Sequence, residues 1–323
     1  MQIEILAPAG SVESLTAAVR CGANAVYLGT KNFNARRNAD NFDGNALKSA
    51  VEYCHQRNVK VYLTANTLVA DDEMSGAYNT IKNALEYGVD AFIVQDLGVA
   101  KMIRQCFPSA RLHASTQCSV NTPDGVNALK ELGFSRIVVP REMSLDEIKE
   151  IREETDVELE MFVHGALCMC VSGQCYMSAM LGGRSGNRGL CAQPCRLSFS
   201  ADNSGSFDLS LKDLSLIDKI KEIESAGIIS LKIEGRMKRP EYVAAAVTAC
   251  KNAVCGNYSA RDEKILKSVF SRSGFTDGYF TGKRQDMFGT RQKEDVVSAK
   301  DVIKELSHLY DNENPLVPID IEF

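Results

Sequence analysis

The chain has 323 residues, of which 45% are apolar, and a formal net charge of -5. This length and apolar content suffice for one large α/β domain with an appendage. The acidic balance argues against an overall electrostatic footprint for nucleic acid. The sequence does not begin with a basic, apolar leader, and it contains no run of about 18 apolar residues. We therefore expect a soluble, cytoplasmic protein without a membrane partner.

Short β-like runs alternate with amphipathic helical stretches such as 11–21 and 43–57, and several of these stretches close with Gly or Asn. This alternation predicts parallel β/α units and, with eight strands, an α/β fold of the TIM-type (β/α)8 barrel. A doubly wound open sheet has the same alternation and is the alternative. The predicted strands are 4–8, 25–29, 60–65, 91–96, 111–116, 136–141, 157–164 and 230–234.

Polar residues line one face of several predicted strands, which favours a closed barrel with a functional interior. In strand 157–164 the alternating residues on that face are Glu158, Glu160, Phe162 and His164. In the last strand Lys232 and Glu234 share a face. Internal salt bridging, for example of Lys232 with Glu160 or Glu4, explains the pattern equally well. The candidate catalytic residues are His164, Glu160, Glu234 and Lys232.

We expect the barrel to occupy residues 1–258, with a Cys-rich insertion at 165–200. Pro240 suits the first turn of a helix that runs to about residue 253. Residues 259–323 form a predicted helical and turn-rich C-terminal extension, and 315–323 alternate like a strand. We expect this extension to lead into a further domain of a longer natural protein.

Eleven cysteines in a reducing compartment are better explained by metal or redox chemistry, where they cluster, than by disulfides. Isolated cysteines in helical segments behave as small hydrophobes, and we expect five of them to be buried: Cys21, Cys54, Cys106, Cys250 and Cys255. Five others lie within the short segment from Cys168 to Cys195. We call this stretch the cysteine segment.

The cysteine segment follows the predicted seventh strand, where barrel enzymes carry active-site loops. Cys168, Cys175, Cys191 and Cys195 form a plausible ligand set for an iron-sulfur cluster, with Cys170 spare. Zinc is the main alternative, although the paired Cys-x-x-Cys knuckles of zinc ribbons are missing from the segment. A catalytic thiol with His164 as its base is a further alternative.

A glycine-rich loop, 181–189, lies between the two halves of the cysteine segment and carries Arg184 and Arg188. It is neither a Walker loop nor a Rossmann fingerprint. Backbone amides and guanidinium groups can hold phosphate or carboxylate, and the alternative is a flexible basic loop that neutralises thiolates. The predicted anion-binding residues are Arg184, Arg188, Arg196, Arg236 and Lys238.

These motifs resemble the collagenase-like peptidase family U32, over nearly the whole chain. The resemblance is carried by 162–168 (FVHGALC), 172–175 (SGQC), 183–189 (GRSGNRG), 191–196 (CAQPCR), 232–236 (KIEGR) and the opening 6–10 (LAPAG). The sequence is most similar to the RNA hydroxylation branch of that family, whose members install a 5-hydroxyl on a cytidine of 23S rRNA or on the wobble uridine of tRNA. The chain resembles the barrel portion of a longer member.

The resemblance implies a 4Fe-4S cluster, with Cys168, Cys175 and Cys191 as ligands. In the family one ligand can come from elsewhere in the chain, so for the fourth ligand we choose Cys195, with Cys170 or another residue as the alternative. It also implies prephenate, a small dicarboxylate, as a co-substrate and RNA as the partner. Peptidase activity has weaker support in the residues, because the sequence contains neither a His-Glu-x-x-His zinc helix nor a Gly-x-Ser-x-Gly elbow. A zinc-stabilised scaffold without enzymatic activity is a third reading.

Overall fold

The computed structural model describes residues 3–172, 174–200, 206–291 and 293–311. Within these ranges eight parallel strands close into a barrel, because β1 to β7 pair in sequence order and β9 pairs with both β7 and β1. The predicted TIM-type barrel is confirmed, and the open doubly wound sheet is wrong. The strands are β1 (Glu4–Pro8), β2 (Ala25–Gly29), β3 (Lys60–Ala65), β4 (Ala91–Val94), β5 (Leu112–Ala114), β6 (Phe134–Val138), β7 (Glu158–Ala166), β8 (Asp213–Ser215), β9 (Ile228–Ile233) and β10 (Phe275–Thr276).

Helices cover the outside of the barrel and begin where the sequence supplies caps. The Ser11 side chain accepts a hydrogen bond from the Ser14 amide at the start of α1, and Ser144 with Glu147 forms a capping box at α6. The helices are α1 (Val12–Cys21), α2 (Asn45–His55), α3 (Met74–Glu86), α4 (Leu97–Cys106), α5 (Pro123–Glu131), α6 (Leu145–Glu154), α7 (Met177–Gly182), α8 (Ile220–Ser225), α9 (Pro240–Val254), α10 (Ala260–Val269), α11 (Gly278–Thr281) and α12 (Lys293–Ser307).

Two short strands, β8 and β10, lie outside the barrel and were not predicted. β8 runs antiparallel to the end of β7, where Ala166 pairs with Asp213, and β10 pairs with β8. With three and two residues, they are too short to show an alternating pattern. Together they extend the sheet beside the C-terminal end of the barrel, next to the cysteine segment.

The C-terminal extension packs against the barrel. Helices α10 and α12 contact α9, which in turn packs against α1. The strand-like alternation predicted for 315–323 lies outside the described residues. In the described ranges, no helix combines the length and the apolar character needed to cross a membrane.

Burial of the isolated cysteines was predicted correctly for Cys21, Cys54 and Cys250, but Cys106 and Cys255 are exposed. Cys106 is the last residue of α4, and Cys255 is the residue that caps the end of α9. The ends of both helices project beyond the core, so an apolar helical neighbourhood in sequence does not bury these two thiols.

Candidate active site

The interior of the barrel is charged, as the strand alternation predicts. The Glu160 carboxylate is fully buried and accepts hydrogen bonds from Lys232 Nζ at 2.7 Å and Arg136 Nη1 at 3.1 Å. Burial alone would raise the pKa of Glu160, but Lys232 and Arg136 lower it to about 2. Arg136 also donates to Glu4 at 2.6 Å. The expected salt bridging between Lys232 and Glu160 is therefore present.

Above this layer, toward the C-terminal ends of the strands, cations surround a single carboxylate. Glu234 is buried and pairs with Arg36 at 2.9 Å. Burial acts to raise the pKa of Glu234, but Arg36, Arg141 and Lys238 together lower it. Glu234 is thus an ionised group that organises the cations at the barrel mouth.

Arg236 reaches the same mouth from the loop after β9. Its Nη1 donates to Thr64 Oγ1 at 2.8 Å, and its guanidinium lies 5.7 Å from the centre of the Tyr27 ring. A Cβ on Gly29 would lie 2.6 Å from Arg236 Nη1 and 2.9 Å from Thr64 Oγ1. Glycine at the end of β2 is therefore needed for the buried guanidinium to approach the strand.

Sequence reasoning missed Arg36 and Arg141, which belong to this mouth. Arg141 lies 3.8 Å above the Phe162 ring, and its Nε has no hydrogen-bond partner among the described residues although it is buried. Arg36 follows the predicted strand 25–29 and Arg141 is the last residue of the predicted strand 136–141, so position at the C-terminal ends of the strands was a usable signal. We call Arg36, Arg141, Glu234 and Arg236 the mouth cluster.

His164 does not share the inner face with Glu160, contrary to the alternation. The register shifts between Phe162 and His164, so that Phe162 pairs with Lys232 but His164 pairs with Ile233. Because Lys232 and Ile233 point to opposite faces, the bulge turns His164 away from the barrel interior. Its ring packs 5.6 Å from Tyr242 and 5.2 Å from Phe275, and neither ring nitrogen has a hydrogen-bond partner among the described residues.

The cysteine segment leaves β7 at the C-terminal end of the barrel, as predicted. Burial raises the pKa of Cys195, Arg196 opposes this rise, and the nearby thiols of Cys168, Cys191 and Cys175 add to it. Cys168 also acts electrostatically on Arg36 of the mouth cluster. Cys168, Cys175 and Cys191 are therefore near enough to Cys195, and Cys168 near enough to Arg36, to act on them electrostatically.

The loop between the cysteines is folded around its own sulfur atoms. The Gln193 amide donates to Cys191 Sγ at 3.3 Å, and the Ser178 hydroxyl lies 3.9 Å from the same sulfur. Cys170 is influenced by Cys168 and Cys175. Across the described chain, no three His, Cys, Asp or Glu side chains stand in an arrangement that could hold a metal ion. The donor atoms suit a thiolate-bound metal, but their side chains would have to turn toward a common centre to bind it.

The predicted anion-binding residues have different contact partners in the structure. Arg188 pairs with Glu73 at 2.5 Å, and Arg184 is exposed in the glycine-rich loop. Arg196 donates to the backbone oxygens of Leu167 and Leu211, so it braces the segment. Arg236 and Lys238, which follow the last barrel strand, also have different partners. Arg236 belongs to the mouth cluster, and Lys238 lies over the Phe270 ring.

A cavity of about 670 Å³ opens at the other end of the barrel, where the strands begin. Its lining includes Arg136 and Glu158, which are ion-paired to each other, and the buried His113. Barrel enzymes carry their chemistry at the C-terminal ends of the strands. We therefore assign the candidate site to the thiols and the mouth cluster rather than to this cavity.

Comparison with known proteins accounts for this combination of barrel and cysteines. Residues 10–288 match the model of peptidase family U32. The chain belongs to this family. The matched residues include the mouth cluster and the whole cysteine segment, so both are parts of the U32 domain.

Three relatives illustrate what U32 proteins are named for. The chain is 36% identical over 313 residues to a 23S rRNA 5-hydroxycytidine synthase of Escherichia coli, which covers 93% of this chain and 46% of the relative. It is 37% identical over 264 residues to a tRNA hydroxylation protein of Bacillus subtilis, covering 78% and 63%. It is also 36% identical over 310 residues to a protein of Porphyromonas gingivalis named collagenase, covering 87% and 74%. The chain thus spans about half to two thirds of the length of the two RNA-modifying relatives.

Proposed function

We propose that this chain is the barrel portion of an RNA hydroxylation enzyme that forms 5-hydroxycytidine in 23S rRNA. Hydroxylation of the tRNA wobble uridine is the alternative product. The observation that carries the proposal is the similarity of the chain, at 36–37% identity, to an rRNA and a tRNA hydroxylation protein. The cysteine segment of this chain follows β7 at the end of the barrel where the mouth cluster also lies. The enzyme would act in the cytoplasm, where its RNA substrate is found.

Cys168, Cys175, Cys191 and Cys195 would hold a 4Fe-4S cluster, which supplies redox chemistry when bound. Cys195 is kept as the fourth ligand, and Cys170 is the alternative. The Gln193 amide would continue to donate to the Cys191 sulfur. Such hydrogen bonds to ligating sulfurs tune cluster potentials. Zinc bound by the same four thiolates is the alternative.

The mouth cluster would bind the carboxylates of prephenate. Three arginines there face one carboxylate, Glu234, so positive charge is in excess. Arg141 has a buried Nε without a partner in the described ranges, and guanidinium groups bind carboxylates in bidentate fashion. The role of these side chains is to bind and orient the small dicarboxylate.

Peptidase activity is the second candidate, since a relative is named collagenase. The described contacts give it little support. The His164 ring is buried against Tyr242 and Phe275, and no thiol or hydroxyl is hydrogen-bonded to it among the described residues. Hydrolysis of a defined peptide that persists after removal of metal, and that a single substitution abolishes, would favour the peptidase.

The test is mass spectrometry of rRNA and tRNA nucleosides from a strain that lacks this gene. We expect hydroxycytidine to disappear, to return with the intact gene, and to stay absent with the Cys175→Ser, Cys191→Ser double variant. Cys106→Ser, an exposed thiol on α4, is the matched control and should restore the nucleoside. Loss of hydroxyuridine instead would assign the tRNA substrate, and unchanged nucleosides would overturn the proposal.

Metal content tests the cluster separately. Protein purified without oxygen should contain about four iron and four sulfide per chain. Cys195→Ser should lower the iron content and Cys170→Ser should not, if Cys195 is the fourth ligand. Zinc without iron or sulfide would instead support the structural zinc site.

A further inference from the structure

Three cations surround one aromatic ring beside the cysteine segment. Lys238 Nζ lies 2.9 Å from the centre of the Phe270 ring, and the guanidinium carbons of Arg291 and Arg272 lie 4.5 Å and 5.1 Å from it. The ring face partly offsets the repulsion among these charges. We call Lys238, Arg272 and Arg291 the cation triad.

Acidic side chains do not balance the cation triad. In the described part of the chain, the one ion pair that involves these three residues is Arg272 with Asp213. Asp213 is buried, and its second oxygen has no hydrogen-bond partner among the described residues. Glu234 also acts on Lys238, but it is already paired with Arg36. The cation triad, of which Arg291 is exposed, Lys238 partly buried and Arg272 buried, therefore carries an excess of positive charge on a chain whose net charge is -5.

The cation triad adjoins the cysteine segment. Asp213, the partner of Arg272, begins β8, which pairs with Ala166 at the end of β7. Arg272 also acts electrostatically on Arg196, which in turn lies next to Cys195 and donates to the Leu167 carbonyl. One short strand thus separates the triad from the thiols.

The backbone holds the exposed member of the triad in position. Arg291 follows a segment that is tied to β8 and its approach, where the Gly289 amide donates to the Ser210 carbonyl at 2.8 Å. The Lys212 amide donates to the Met287 carbonyl at 2.8 Å, and the Ser273 hydroxyl donates to the Thr290 carbonyl at 2.7 Å. A cation fixed before binding loses less conformational entropy when it meets an anion.

We infer that the cation triad binds a backbone phosphate of the RNA substrate and thereby holds the strand beside the cysteine segment. This inference rests on the proposed function and gives it a contact surface outside the barrel mouth. A phosphodiester carries one negative charge and acceptor oxygens that suit the exposed guanidinium of Arg291 and the partly buried ammonium of Lys238. The buried Arg272, which is paired with Asp213, adds its charge from behind these two groups. The acidic balance of the whole chain is then no obstacle, because the contact is local.

The test is the salt dependence of RNA binding. Binding of the complete chain to a labelled single-stranded RNA is measured by fluorescence anisotropy. Each phosphate contact to a single strand contributes about 0.7 to the slope of log K against log salt. At pH 6, Arg291→Gln and Lys238→Gln should each lower the slope by that amount. The loss of affinity relative to the unaltered chain should then be about fivefold larger at 0.1 M salt than at 1 M salt. Arg111→Gln, an exposed arginine at the opposite end of the barrel, is the matched control and should change neither value.

Competition separates RNA from a free small anion. Unlabelled RNA should displace the labelled strand at its own dissociation constant, whereas inorganic phosphate should act no better than chloride at equal ionic strength. Displacement by phosphate far below that ionic strength would mark a free-anion site and overturn the assignment to RNA. Arg272 is left unchanged because its replacement would leave the buried Asp213 without its ion-pair partner. Circular dichroism checks that the other variants are folded.

Failure of this inference can be told apart from failure of the proposed function. Absence of RNA binding by the unaltered chain, or an unchanged salt slope in Arg291→Gln, overturns the phosphate contact whatever the nucleosides show. Unchanged nucleosides in the strain lacking the gene, with a reduced slope in both variants, overturn the hydroxylation proposal and leave the contact standing.

Discussion

The negative charge of Glu160 neutralises two buried cations, so we expect this residue to contribute to the stability of the fold. Lys232 lies 2.7 Å away and Arg136 3.1 Å away, all three being nearly inaccessible to water. Removing one partner of a buried pair leaves an uncompensated charge, at a cost of about 3–5 kcal/mol. We therefore predict that Glu160→Gln lowers the free energy of unfolding by about that amount, as measured by urea denaturation.

The double variant Glu160→Gln, Lys232→Met is the control for this prediction. It removes the stranded ammonium, and Arg136 keeps Glu4 and Glu158 as partners, so much of the loss should be recovered. A catalytic role for Glu160 predicts instead a loss of nucleoside modification with stability unchanged. A destabilisation below about 1 kcal/mol would contradict the structural interpretation.

The ammonium of Lys238 titrates near neutral pH. Burial, followed by the neighbouring Arg272, lowers the pKa of Lys238 to about 7, although Asp213 and Glu234 act to raise it. The groups that face this ammonium are Arg272, Arg291, Asp213, Glu234, His164, Tyr242 and Phe270. Lys238 is charged below pH 7 and neutral above it, so RNA should bind more tightly at pH 6 than at pH 8. Anisotropy titrations at constant ionic strength measure this difference.

Lys238→Arg is the matched variant for the pH dependence, because a guanidinium stays charged across this range. It should bind RNA equally well at both pH values. If the unaltered protein also shows no pH dependence, Lys238 does not contribute a titrating charge to binding.

The bulge in β7 determines which side chains surround His164. It turns His164 toward Tyr242 and Phe275, and burial, followed by nearby Lys238, lowers the pKa of His164 to about 3. The ring is neutral, aromatic and without hydrogen-bond partners in the described ranges. We predict that His164→Phe changes the free energy of unfolding by less than about 1.5 kcal/mol, measured by urea denaturation, and preserves nucleoside modification.

His164→Glu is the contrasting variant, because it would bury an unpaired carboxyl group and should destabilise the fold strongly. A folded His164→Phe protein that no longer modifies RNA would restore His164 to the catalytic set. The two variants thus separate a packing role from a chemical one.

The barrel strands could be predicted because each contains an alternating or apolar run long enough to recognise, and their ends are correct to within a few residues. The bulge between Phe162 and His164 could not be predicted, because period-2 counting assumes an unbroken register. β8 and β10 were not predicted for a different reason: strands of three and two residues are too short to show an alternating pattern of polar and apolar residues. These misses all concern the region around the cysteine segment.

At the scale of the whole molecule, the spacing of cysteines along the sequence identified the candidate metal ligands, but it did not identify the charged residues of the mouth cluster. Arg36, Arg141 and Glu234 come from β2, β6 and β9 loops that are far apart in sequence, and closure of the barrel brings them together. The predicted grouping of Arg184 and Arg188 with Arg236 and Lys238 stays a prediction. The described contacts give Arg188, Arg236 and Lys238 different partners, which nearness in sequence to glycines or to a strand end could not indicate.

The sequence predicted a barrel ending at residue 258, but the contacts indicate that the extension is needed for its stability. Helix α9 is buried along most of its length, partly beneath α10 and α12, and Phe275 of β10 covers His164. Deleting everything after 258 would remove five large buried apolar side chains: Leu266, Val269, Phe280, Met287 and Leu306. At about 1.5–3 kcal/mol each, their loss approaches the 5–15 kcal/mol that typically stabilises a folded domain.

We therefore predict that a chain ending at 258 shows no cooperative thermal transition by circular dichroism and binds the dye ANS. A chain ending at 311, which keeps α10, β10 and α12, is the control and should melt cooperatively near the temperature of the complete chain. Equal melting temperatures for the 258 and 311 chains would mean that the barrel is stable by itself. In that case the cation triad, two of whose members lie beyond 258, would belong to a separable surface rather than to the barrel.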